Sequence, residues 1–98
     1  MSLRLSVRAR AREDIGVSRD WYDEKSPELG CRFEIEVDAA MVSISRQPLR
    51  YPKVYLDIRR AMTTRFPFAI YFIFEGDRIA VLRVLHQARD PREWQRSG

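Results

Sequence analysis

The residues best equipped for chemistry stand near the end of the chain: His86, Arg89, Arg92 and Trp94. An imidazole can move protons near neutral pH. A guanidinium can grip phosphate or carboxylate through paired hydrogen bonds. An indole can stack on a nucleic-acid base. Metal-free cleavage of RNA needs a group that deprotonates the 2′-hydroxyl, one that stabilises charge on the phosphate, and one that protonates the leaving oxygen. In that reading His86 moves protons and Arg89 or Arg92 steadies the phosphate. The plainer alternative is structural. A histidine at a strand end can bond to nearby backbone, Asp90 can cap a short helix opened by Pro91, and Trp94 can cover a sheet edge.

Arg59, Arg60 and Arg65 form a second basic group. Neighbours on a strand point to opposite faces, so at most one of Arg59 and Arg60 can face a target together with Arg65. Sixteen of the eighteen basic residues are arginine, Lys25 and Lys53 being the exceptions, and the net charge is +4. That balance suits nucleic acid or an acidic protein surface. Arg8, Arg10 and Arg12 also alternate, and a solvated face accounts for them. The single cysteine, Cys31, cannot form an internal disulfide, and no Cys/His set exists for zinc. No metal and no cofactor are expected. A reducing, cytoplasmic setting follows. No apolar run approaches the ~18 residues of a membrane span, and the N-terminus alternates where a signal peptide would be unbroken, so no membrane partner is expected.

The elements that must position these residues are legible as patterns. The 98 residues suffice for one small domain, 1–98. Leu3, Leu5 and Val7 alternate with polar residues, as in a half-buried strand. Ala11, Ile15, Ser18 and Tyr22 then recur at helical spacing, with Trp21 beside them, which predicts a helix over 9–25. Ser26-Pro27 reads as a second start, with serine capping and proline in the first turn. Leu29, Phe33, Val37, Ala40 and Ile44 form its stripe, and Pro48 ends it near Gln47. Two helices so close in sequence predict an antiparallel hairpin. After a loop with Pro48 and Pro52, strands are expected over 54–64, 68–74 and 78–86, with a turn at Glu75-Gly76-Asp77. In the last strand Ala80, Leu82, Val84 and His86 are expected to face the core, because Arg83 marks the other side as partly wet. The whole is an α+β domain: an N-terminal strand, an antiparallel helical hairpin, then a three-stranded antiparallel meander, with the helices on one face of a mostly antiparallel sheet.

These features resemble the ParE/RelE family of small bacterial toxins from Leu3 to Trp94. The resemblance rests on Asp14-Ile15 with Trp21-Tyr22, on Gly30 and Phe33, and on Pro48 with Tyr51-Pro52. It continues through Ile58-Arg59-Arg60, Phe66-Pro67-Phe68 with Ile70-Tyr71, and His86 followed by Arg89-Asp90-Pro91 and Trp94. It implies a toxin paired with an antitoxin whose tail wraps and neutralises it, the two forming a hetero-oligomer. ParE-type members stabilise the cleaved complex of DNA gyrase by binding; RelE-type members cut messenger RNA in the ribosome. RelE-type enzymes carry a basic residue between the positions read here as Phe68 and Ile70, where this chain has Ala69, and a lysine cluster that it lacks. The ParE-like reading is therefore preferred. Arg60, Arg65, Arg89 and Trp94 are its expected target contacts, and a groove lined by Ile15, Trp21 and Phe33 is its expected antitoxin site. The alternatives are a RelE-like ribonuclease using His86, Arg89 and Arg92, and a degenerate toxin that only binds its antitoxin.

Overall fold

The computed structural model describes residues 3–87. The chain passes through β1 (Arg4–Val7), α1 (Ala9–Lys25), α2 (Pro27–Arg46), a 3-10 turn (Pro48–Arg50), β2 (Lys53–Tyr55), β3 (Ile58–Met62), β4 (Phe68–Glu75) and β5 (Arg78–His86). The strands make one mixed sheet in the order β1-β5-β4-β3-β2. β1 runs parallel to β5, and the other pairs are antiparallel. Both helices lie on one face, giving the α+β arrangement that the sequence implies.

Each layer supplies one side of the core. Ala11 comes from α1, and Phe33, Val37 and Ile44 come from α2. They meet Phe68, Ile70 and Phe72 of β4 and Ile79, Val81 and Val84 of β5. Ser26 alone joins the helices, in extended conformation (φ −168°, ψ 132°). Its hydroxyl makes no capping bond. Its carbonyl instead accepts the Leu29 N–H at 2.9 Å, so the expected side-chain cap is replaced by a backbone one. Gly30 lets the hairpin close. A Cβ there would stand 1.8 Å from Asp23 Oδ1 and 3.2 Å from the Arg19 carbonyl oxygen. Arg19 bridges the helices by pairing with Glu34.

Two sequence expectations need correction. The strand expected over 54–64 is two strands, β2 and β3, folded back at Leu56-Asp57. Leu56 adopts φ 50°, a left-handed conformation uncommon for a bulky residue, so no glycine or asparagine announced the turn. The sheet therefore has five strands among the described residues. The phase of β5 also changes along its length. Ile79 and Val81 face the helices, as does Val84, because the pairing with β4 shifts between Tyr71 and Phe72 and leaves Leu82 as the extra residue. Such a bulge inverts strict alternation. Val84 fits the expected core face, while Ile79 and Val81 replace Ala80 and Leu82 in the main core.

The bulge lies where β1 stops. The Arg8 N–H donates to the Val81 carbonyl at 3.0 Å, and β5 then continues with no strand on that side among the described residues. Asp14 of α1 fills the gap. Its Oδ2 accepts the Val84 N–H at 3.0 Å and Arg83 Nε at 2.7 Å, and its Oδ1 accepts Arg83 Nη2 at 3.0 Å. Both side chains are only 13% exposed. Arg83 is thus a sheltered ion-pair partner and not the marker of a wet face.

Two outcomes follow for stability. Asp14→Ala should lower unfolding free energy by about 3 kcal/mol in urea titration, because it removes the two-pronged carboxylate from a sheltered guanidinium; Asp14→Leu with Arg83→Met should recover much of that loss. An equal loss in the double variant would refute the account. Gly30→Leu should cost about 1–3 kcal/mol by overpacking the helix contact. Gly30→Ala should cost less than Gly30→Leu, because Asp23 must still move from a Cβ 2.6 Å from its Cγ while alanine regains up to ~1 kcal/mol of helix propensity.

Candidate functional site

The register of β3 against β4 separates the two adjacent arginines. Arg59 pairs with Phe72 and Arg60 with Tyr71. Phe72 belongs to the helix-side core, whereas Tyr71 clusters with Ala69, Leu85 and Ile58 on the opposite side. Residues paired across strands share a face. Arg59 therefore lies on the helix side, where its Nη1 donates to the Tyr51 carbonyl at 2.6 Å and ties down the loop before β2. Arg60 lies on the side away from the helices and is half-buried.

Arg65 sits in the turn between β3 and β4 and is exposed. Glu36 of α2 fixes that turn. Its carboxylate accepts the Arg65 N–H at 3.0 Å and the Phe66 N–H at 2.9 Å. Thr63 Oγ1 also bonds to the Phe66 carbonyl. Phe66 packs edge-on against Tyr22, with centroids 4.9 Å apart. Burial, and then the nearby Glu36 carboxylate, raise the Tyr22 pKa above the ordinary phenol value. Nothing in the sequence pattern identified Glu36. Its position on α2, a quarter turn from the buried stripe, reads as plain surface until the turn arrives beside it.

His86 ends β5 opposite Phe68, on the helix side, with the two rings edge-on at 5.4 Å. It borders a cavity of about 650 Å³ between α1 and the sheet, whose walls include Val17, Trp21, Tyr22, Phe68 and Arg83. The guanidinium in that wall is held by Asp14. His86 and Arg60 thus occupy different faces of the sheet. Arg89, Arg92 and Trp94, named from the sequence, lie outside the described residues.

The expected antitoxin groove divides on burial. Trp21 is 53% exposed, stands edge-on to Tyr22 at 5.0 Å and carries Lys25 Nζ 4.8 Å from its ring centre. Ile15 is half-buried against the core. Phe33 is 0% exposed, so it forms the floor beneath the hairpin and offers nothing to a partner. Val17, 64% exposed and one turn before Trp21, supplies the apolar surface that Phe33 does not. The i, i+4 spacing of Val17 and Trp21 was the available signal. Among the described residues no group of three or more His, Cys, Asp or Glu could hold a metal ion, and no helix is long and apolar enough to cross a membrane.

Charge is segregated between the layers. α1 and α2 carry nine carboxylates against six cationic side chains, and the other described residues carry three against nine. The helical layer is net acidic, and the strands with their loops are net basic.

Comparisons agree with this architecture. No curated protein is significantly similar to the chain in sequence. The chromosomal ParDE toxin–antitoxin system from P. aeruginosa superposes with a TM-score of 0.78 at 19% identity, covering 87% of this chain and 96% of that one. The RelBE2 toxin–antitoxin complex from Mycobacterium tuberculosis gives a TM-score of 0.60 at 17% identity, covering 88% and 99%. Those likenesses establish the fold. The sequence model of the ParE toxin of the type II toxin–antitoxin system parDE matches residues 5–91, from the core of β1 past the end of β5, and so the chain belongs to the ParE toxin family.

Proposed function

We propose that this toxin acts by binding DNA gyrase, without catalysing a reaction, and that a cognate antitoxin holds it inactive in a cytoplasmic hetero-oligomer. Residues 1–98 act as one toxin domain in this reading. The observation that carries it is the segregation of charge. A net basic sheet layer, with Arg60 on its outer face and Arg65 at its rim, suits a gyrase–DNA complex rich in phosphate and carboxylate. The preference for binding over cleavage rests on the family resemblance, with Ala69 standing where RelE-type enzymes carry a basic residue. Arg89 and Trp94 are assigned to the same target contact on the strength of the family resemblance.

The antitoxin reading rests on Val17 and Trp21, exposed apolar residues one helical turn apart at the mouth of the cavity. An amphipathic segment would lay its apolar side there. Both solved relatives are toxin–antitoxin pairs, which supports such a partner.

Purified toxin mixed with gyrase, ATP and plasmid should abolish supercoiling and accumulate linear DNA. Arg60→Ala and Arg65→Ala should each raise the toxin concentration required by about tenfold, or ~1.4 kcal/mol of binding. Folded, antitoxin-free toxin that leaves gyrase untouched would remove the target, and codon-positioned cleavage of messenger RNA on ribosomes would become the next assay, with His86→Ala as control. Trp21→Glu should weaken antitoxin binding at least about tenfold in calorimetry with an unchanged melting curve, as expected for an aromatic anchor; unaltered affinity would move the antitoxin elsewhere.

A further inference from the structure

α2 is apolar on two sides. Phe33, Val37 and Ile44 face the core. The opposite side carries Cys31, Ile35, Ala39 and Val42, all exposed, with Ile35 at 62% and Val42 at 48%. A surface helix ordinarily presents polar residues there. The row is well aligned. Glu28, Ile35 and Val42 are seven residues apart, so each drifts only ~20° from the last. Arg46 closes the row one turn after Val42.

We propose that this row is a homodimer interface, in which α2 packs antiparallel against α2 of a second copy about a two-fold axis level with Val37. The row is self-complementary about that level. Glu28 and Arg46 each lie nine residues from it, about 13 Å along the helix. A two-fold contact uses the same patch on both copies, so Glu28 of each copy meets Arg46 of the other, at both ends. Within the seam Ile35 meets Ala39, and Cys31, six residues from the axis, lies within about one residue's rise of Val42, five residues from it; each contact pairs a larger side chain with a smaller one. Antiparallel packing also sets the positive end of each helix dipole beside the negative end of its neighbour. Glu28 already bonds Arg32 of its own chain at 2.8 Å, but both are exposed and such pairs exchange partners readily. Asp38 and Arg32 flank the row at its margins. A segment of the antitoxin is the competing occupant; the Glu28–Arg46 pairing at both ends of the seam favours a second copy.

This reading does not depend on the target of the toxin. Sedimentation equilibrium of the full, antitoxin-free chain at micromolar concentration should give twice the 11.6 kDa chain mass. Ile35→Glu should return it to one chain mass with an unchanged helical spectrum. Val42→Cys, oxidised gently beside the native Cys31, should yield covalently paired chains, and adding Cys31→Ser should abolish them. The crosslink decides the matter should Ile35→Glu disturb folding. A monomer at every concentration, a dimer indifferent to Ile35→Glu, or α2 amides protected from exchange only when the antitoxin is bound would each overturn the proposal.

Discussion

The carboxylate of Asp14 fastens the helical layer to the sheet at the point where the pairing of β1 with β5 ends. β1 ends at Val7 while β5 runs on to His86, so among the described residues the second half of that β5 edge has no neighbouring strand. An unpaired amide in a sheltered position is costly. Asp14 accepts that amide, from Val84, and holds the Arg83 guanidinium through both oxygens. A two-pronged ionic contact constrains orientation as well as distance. The rotation of α1 about its own axis is thereby set. Ala11 is turned into the core, Tyr22 is placed over Phe66 and Phe68, and Val17 and Trp21 are left at the mouth of the cavity.

A second carboxylate performs the corresponding task on the other helix of the hairpin. Glu36 receives two successive amides of the turn between β3 and β4. The pieces that carry candidate contacts are thus attached to helices by short ionic bonds. The sheet then divides them. Arg59 is spent on holding the loop before β2, while Arg60 remains on the outer face. The helices are net acidic and the strands with their loops net basic, so the two layers carry opposite net charge. In the proposed function, an inhibitor and a target kept on different surfaces can each be accommodated without loss to the other.

Much of this was legible in the chain. The helices occupy the predicted spans because their apolar spacing, and the Ser26-Pro27 and Pro48 breaks, are local signals. The placement of Arg59 and Arg60 on opposite faces followed from strand geometry alone. The doubled edge strand was not legible, because Leu56 turns the chain in a conformation its side chain disfavours. Nor was the inversion of phase in β5, because a bulge belongs to a pair of strands and leaves no mark in either one.

The site shows the same division. The residue types available for chemistry, the helical hairpin, the meander and the family resemblance were properties of the sequence, since each depends on neighbours a few positions apart. Which arginine is structural, that Phe33 lies wholly inside, that Asp14 meets Arg83 and that Glu36 meets a turn thirty residues away were decided only by the tertiary structure. Those facts depend on how one layer is rotated and shifted against another. That relation is set by packing across the core, and no local spacing encodes it.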